Sequence, residues 1–410
     1  MKLTREEQAW LKGENGDALR RAMEILVALG KIYAARRLIP VASVQISGVS
    51  YRNLGAAGLE FLQRWADEGA RVRVPTTLNP AAMDLYDWRA QGFDPDFAAK
   101  QHAVIKTFTR MGVSEGQPCP TCAPYLIGNV PALDEHVAWA ESSAVSYANS
   151  VLGARTNREG GPGAIAAALA GRTPAYGLHL DENRRATLRV EVENDPHVIS
   201  DYSALGAIVG KIARNRVPYF VGLPVQRKMP RWEEKLKALG AAMAATGAVA
   251  LYHVAGVTPE ARARPMLAPD PETLTVTDLA PGYAMFNDPV TAVDLVWIGC
   301  PHASLAEIAL IAEKLKGRRL AIPLWITCAR PVKEAARSLE LAPPIEEAGG
   351  RLVADACTAI APVRDLGFEA VATSSAKAAF YLRNLAGVAA RFGTLDQCIN
   401  AAVNGKWGFA

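Results

Sequence analysis

Cysteine is scarce: six residues (Cys119, Cys122, Cys300, Cys328, Cys357, Cys398) in 410 are too few and too scattered for a disulfide framework. In a reducing compartment they read as packed thiols or as metal ligands. An excess of one charge is also missing. The 45 basic and 41 acidic residues leave a formal net charge of +4, with no polycationic stripe for a phosphate backbone, so no nucleic-acid partner is expected. No apolar run is long enough to span a membrane, and residues 1–7 are polar where a secretory signal has an apolar core. The chain is expected to be cytoplasmic, without a membrane partner. The histidines form no metal triad: His102, His136, His179, His197 and His253 are scattered singly, and only His302 stands close behind a cysteine. Residues 160–163 have the glycines of a phosphate loop but lack its lysine and hydroxyl, so nucleotide binding is not supported. What remains is a half-hydrophobic chain, long enough for two or three packed lobes.

Apolar spacing predicts a helix over 16–38, a strand over 41–46, a helix reaching about Trp65 and a strand over 72–74. Ligands collect at the carboxyl ends of parallel strands, so the polar loops 47–50 and 76–80 are candidates for lining one crevice. Near the C-terminus, strands over 293–298, 320–326 and 351–354 run into Cys300, Cys328 and Cys357. Ser304 is predicted to cap a helix over 305–316, and Lys377 falls in the first turn of another helix. In a parallel sheet all three cysteines would sit on the ligand-binding edge, a placement that packing does not require. The middle of the chain alternates helix and strand again, with a proline-rich surface loop predicted at 264–271.

The densest polar cluster runs from Trp139 to Pro162. If 143–154 is helical, Ser142, Ser146, Asn149 and Ser150 share one face, a poor surface for packing and a good one for a polar ligand. Glu141 precedes this helix, where a carboxylate can act as general base or merely cap the helix. Arg155 and Arg158 could clamp a carboxylate or lie in solvent; the residues leave both readings open. The Cys119-x-x-Cys122 pair lacks the second ligand pair of a structural zinc site. Pro118, Pro120 and Pro124 make it a rigid loop rather than the helix start of a redox motif. A third reading has only one of the two thiols binding metal beside distant cysteines. His302 reads equally as ligand-binding or as bonded to a neighbouring carboxylate or backbone group.

Four motifs carry a family resemblance: 141–162, Thr121-Cys122-Ala123-Pro124-Tyr125-Leu126, Gly299-Cys300-Pro301-His302 and Trp325-Ile326-Thr327-Cys328-Ala329-Arg330. In sequence and order they resemble the large subunit of aconitase X. That resemblance implies an α/β, aconitase-like core of three lobes, approximately 1–195, 196–285 and 286–410, around a central iron site. It implies a swivelling domain on a separate small partner subunit, since no segment remains in this chain for it. It implies Cys122, Cys300 and Cys357 as metal ligands, holding an iron-sulfur cluster or a mononuclear iron, with nuclearity open. It places substrate contacts at Gly48, Val49, Ser50, Asn79, Pro80, Glu141, Ser142, Asn149, Arg155 and Lys377. Ala123 stands where the family has threonine, and the surroundings of Cys357 also depart from its pattern, which bears on pocket shape.

The expected activity is that of a hydro-lyase. In the family's chemistry iron acts as a Lewis acid on the hydroxyl of a small hydroxy acid, a base expected on the partner takes the adjacent proton, and Glu141 or Lys377 assists as a catalytic group. Two substrates are known in the family, cis-3-hydroxy-L-proline and 5-phosphomevalonate. High alanine and arginine content without a lysine-glutamate excess favours the proline compound, dehydrated to Δ1-pyrroline-2-carboxylate. From other classes stand a non-catalytic iron-binding protein and a thiol-redox enzyme using Cys119 and Cys122.

Overall fold

The computed structural model describes residues 1–116 and 119–408; Pro118, one of the three prolines expected to stiffen the Cys119 loop, lies outside them. Strands and helices alternate into three parallel sheets, each with its own apolar core. The first sheet orders its strands Thr76–Leu78, Val44–Ile46, Ala138–Trp139. The second runs His253–Val254, Pro218–Val221, Ala186–Val192, Leu267–Val276. The third runs Gly350–Ala354, Leu324–Cys328, Leu295–Ala303, Ala370–Thr373, Ala389–Phe392. Parallel strands need helical crossovers that cover both faces, which is why the central strands read as unbroken apolar runs. Trp297 and Phe392 are fully buried in this way, and each such side chain contributes roughly 1.5–3 kcal/mol.

Two sequence expectations are corrected. Residues 72–74 are not a strand: Val72 N–H donates to Met111 O and Arg73 N–H to Ala168 O, and pairing with Val44–Ile46 begins only after Pro75, at Thr76. The proline-rich stretch is not simply a loop, because Leu267–Val276 forms the edge strand of the second sheet. Pro269 and Pro271 are tolerated there because an edge strand need not donate every N–H, and the register slips between the pairs Ala186–Leu267 and Leu188–Glu272. Helix Leu305–Leu315 starts as expected, with Ser304 and Glu307 forming a reciprocal capping box.

The lobes join at the carboxyl ends of the strands. Ala81 pairs with Ala356 in an isolated parallel bridge, Ala81 N–H donating to Asp355 O at 2.8 Å. Asp84, fully buried, accepts from Lys333 Nζ at 2.9 Å, from an Arg330 guanidinium nitrogen at 2.9 Å and from Ala354 N–H at 2.8 Å. Burial opposes its ionisation, yet the adjacent Lys333 ammonium holds the carboxyl well below its usual range. An ion pair of this kind ties the first lobe to the strand end that leads into Cys357. Among the described residues, no helix is long and apolar enough to cross a membrane.

Candidate active site

Cys300 lies within strand Leu295–Ala303 where its register slips, Cys122 on a loop against the end of Thr76–Leu78, and Cys357 on the turn after Gly350–Ala354. Cys300 follows Gly299, whose φ of +94° suits glycine; a Cβ there would stand 2.2 Å from Thr327 O. Thr327 Oγ1 in turn donates to Gly299 O at 2.6 Å, so the neighbouring strand fixes the turn that carries Cys300. The Cys122 loop is held by Thr121 N–H donating to Leu78 O at 2.9 Å and by Gln45 Nε2 donating to Thr121 O at 3.0 Å. Cys357 lies three residues beyond its strand, and its Sγ accepts from Ala359 N–H at 3.4 Å.

No cysteine is in a disulfide, and Cys122 and Cys300 are buried. Burial pushes the Cys122 thiol up to about 12 and raises those of Cys300 and Cys357, while Lys377 pulls all three down. Cys300 also feels Cys122 and Cys357, so the three share one neighbourhood. Among the described residues, no group of three or more histidine, cysteine, aspartate or glutamate side chains closes around a point as it would around one ion. Three cysteine sulfurs are soft donors of the kind that hold iron, so the donor set fits an iron or iron-sulfur centre.

Beside the thiols lies a buried ion pair. Lys377 Nζ donates to Glu141 Oε1 and, at 2.9 Å, to Ser143 Oγ; Asn79 Nδ2 donates to Glu141 Oε2 at 3.0 Å. Glu141 also caps its helix, accepting from Ser143 N–H and from the Ser142 and Ser143 hydroxyls. The capping and functional readings therefore hold together. Burial would raise the Glu141 carboxyl, but the charge and hydrogen bond of Lys377, with help from Asn79 and Arg158, hold it down at about 2. Burial would lower Lys377, and Glu141 with the nearby thiols keeps it raised.

The first two strand-end loops, expected to line one crevice, lie side by side, with Asn79 N–H donating to Ile46 O at 2.8 Å. Gly48 turns with a φ of +77°, Val49 O accepts from Gln101 Nε2 at 2.9 Å, and Ser50 caps helix Tyr51–Asp67 without a side-chain bond. Ser50 Oγ and Asn79 Oδ1 are buried polar atoms with no partner, and buried orphans of this kind call for a ligand or water. Pro80 carries the chain from Asn79 to the Ala81 bridge.

Asn149 and Arg155 are not brought to this site. Asn149 donates to Thr156 O and Ala250 O and accepts from Thr156 N–H and Arg184. Arg155 is taken up by Asp134, Asp181 and His179 O. The expected polar wall packs instead against helix Trp232–Gly247: Ser150 Oγ accepts from Tyr252 N–H at 2.9 Å, and a Cβ on Gly240 would stand 2.7 Å from Ser146 Oγ. The helix itself ends early, at Tyr147, and continues as a π-turn through Leu152. Of the two arginines, the exposed Arg158 is the one whose charge Glu141 feels.

His302 turns out to be bonded to backbone and a hydroxyl: its Nε2 lies 2.7 Å from Ala356 O and its Nδ1 2.9 Å from Thr121 Oγ1. Burial holds this imidazole at about 4, so it is neutral. Gln45, Ser143 and Thr121 also shape the site and carry no local sequence signal. Cys119 and Cys122 make a poor redox pair, since burial pushes both thiols up to about 12, away from the reactive thiolate. Cys328 and Cys398 are core residues of the third lobe.

Comparison with known proteins agrees with this architecture. Family models describing the Aconitase X first, second and third domains match residues 1–182, 186–280 and 293–404. The chain is 51% identical over 389 residues to a Methanothermobacter thermautotrophicus protein named phosphomevalonate dehydratase large subunit, covering 94% of this chain and 95% of that one. It is 38% identical to a Pseudomonas aeruginosa cis-3-hydroxy-L-proline dehydratase, covering 98% of this chain but 70% of the relative. A crystal structure of Thermococcus kodakaraensis aconitase X in its holo-form superposes with a TM-score of 0.89 at 47% identity, over 98% of this chain and all of that one. Fold and relatives together define an enzyme of the hydro-lyase class. The chain belongs to the aconitase X family.

Proposed function

We propose that this chain is the large subunit of a 5-phosphomevalonate dehydratase. The observation that carries the reading is the meeting of three unpaired thiols with the Lys377–Glu141 pair, beside two orphaned oxygens on adjoining strand-end loops. Burial alone keeps the three thiols protonated, and a bound iron centre would displace their protons and hold them as thiolates. Cys122, Cys300 and Cys357 would hold it, and when bound it supplies a Lewis acid for a leaving hydroxyl.

The chain's own residues bind and orient. A carboxylate held at about 2 is a weak base at neutral pH, so the proton-abstracting group is assigned to the partner subunit. Glu141 keeps Lys377 charged and aimed, and Lys377 can hydrogen-bond a substrate hydroxyl. Asn79 Oδ1 and Ser50 Oγ offer two further contacts. Gly48, Val49 and Ser50 lead into a short helical turn that breaks at Gly55, whose φ is +62°, so no long helix stands behind this loop.

Composition pointed to the proline compound, but four relatives named phosphomevalonate dehydratase large subunit stand at 45–51% identity, with a fifth at 36%, against 36–38% for two cis-3-hydroxy-L-proline dehydratases. The Pseudomonas relative is also longer than this chain, which accounts for only 70% of it. Relatives of matching length are named large subunits, which supports a small partner subunit that completes the site. Six unpaired thiols suit a reducing compartment and keep the cytoplasm as the proposed setting.

The test is an anaerobic assay of both compounds with the iron-loaded chain and its small subunit together. Dehydration of 5-phosphomevalonate with background turnover of cis-3-hydroxy-L-proline is expected. The reverse preference would overturn the substrate assignment, and loss of Cys300 and Cys357 without effect on turnover would overturn the iron assignment.

A further inference from the structure

We propose that His302 is a positioning residue, whose bonds to three separate segments set the spacing of Cys122, Cys300 and Cys357. The proposal rests on the reading of these thiols as iron ligands and names the side chain that holds them in register.

All four polar groups of His302 are engaged. A carbonyl oxygen only accepts, so the contact with Ala356 O at 2.7 Å places the ring proton on Nε2. Nδ1 is then an acceptor and receives the Thr121 hydroxyl at 2.9 Å, while Thr121 Oγ1 accepts from Ala123 N–H at 3.1 Å. The backbone N–H of His302 donates to Cys122 Sγ at 3.2 Å. Its carbonyl accepts from Lys237 Nζ at 3.1 Å, and Lys237 is itself anchored to Glu307 at 2.5 Å.

The partners are not arbitrary. Thr121 immediately precedes Cys122, Ala356 immediately precedes Cys357, and His302 stands two residues after Cys300. One ring therefore spans the first-lobe loop and the two third-lobe loops, and Lys237 ties the assembly to the second lobe. A leucine would fill much of the same fully buried space but leave Ala356 O and the Thr121 O–H proton without a partner. Groups that orient metal ligands from behind commonly change metal affinity by about 10–100-fold.

The full chain, loaded anaerobically with iron and sulfide, is challenged with a ferrous chelator, and the rate of iron loss is followed together with the absorption spectrum and Tm. His302→Leu and Thr121→Val should each speed iron loss about ten-fold or more and alter the spectrum of the bound iron. His302→Gln, whose amide can still donate to Ala356 O, should recover part of the loss. The double variant should fall short of the product of the two single effects, because both cut the same bridge. Parent-like release and spectrum in folded His302→Leu and Thr121→Val would overturn the proposal. If His302→Leu does not fold, parent-like behaviour of Thr121→Val and His302→Gln overturns it equally. A parent chain that takes up no iron would remove this proposal and the dehydratase reading together, whereas a loaded parent with unaffected variants would remove this one alone.

Discussion

The Lys377 ammonium donates to Glu141 Oε1 across 236 residues of sequence, joining a helix start in the third lobe to a helix start in the first. The Lys377 side chain is 3% exposed and that of Glu141 15%, so removing either charge leaves the other without its partner.

Lys377→Met should therefore cost about 3–5 kcal/mol of stability and abolish turnover, since it leaves a buried carboxylate unpaired. Glu141→Gln should be milder in stability and equally damaging to activity. Denaturant unfolding and kcat on the same preparations separate the two effects.

The thiols divide into two groups. Cys300→Ser and Cys357→Ser should lose iron and nearly all turnover, a loss of several kcal/mol in barrier stabilisation. Cys398→Ala, in the third-lobe core, should keep its iron and lose only about 1 kcal/mol of stability. Iron content per chain after anaerobic loading is the deciding measurement.

Arg155 and Arg158 should behave oppositely. Arg155→Ala breaks the bonds to Asp134, Asp181 and His179 O and should destabilise by about 1–3 kcal/mol while leaving KM near the parent value. Arg158→Ala should leave Tm almost unchanged and weaken catalysis. A raised KM in Arg155→Ala at unchanged stability would contradict the placement of that residue.

Glu159 gives a pH dependence. Burial raises its carboxyl from 4.5 to about 7, only partly offset by the Thr173 hydroxyl. The folded chain then binds more protons than the unfolded chain between those values, so this group's contribution is largest below 4.5 and is lost as pH rises through about 7. The full effect is at most about 3 kcal/mol. Glu159→Gln should flatten that fall, as seen in urea midpoints measured from pH 5 to 8.

What could be read ahead of the structure followed from local chemistry. Apolar runs stopping at cysteines placed Cys300 and Cys357 at the carboxyl edge of a parallel sheet, and Glu141 announced itself as a helix cap. The fate of the Ser146–Ser150 face could not be read, because it depends on Gly240 allowing a distant helix to press against it. Polar side chains can satisfy one another as readily as a ligand, and nothing local distinguishes the two outcomes. Arg155 failed as a site residue for the same reason, its acidic partners lying at Asp134 and Asp181. His302 was conspicuous by position, but its bonds to Thr121 and Ala356 arise only when the first and third lobes have met.

The main-chain bridge from Ala81 to Ala356 links points far apart along the polypeptide. Long-separation pairings close slowly because a large loop must first be ordered. Until it closes, the turn that carries Cys357 lacks its tie to the first lobe, and thiols left open to oxygen pass to sulfenic acid and beyond. Renaturation yield should therefore rise when air is excluded during the slow closing phase.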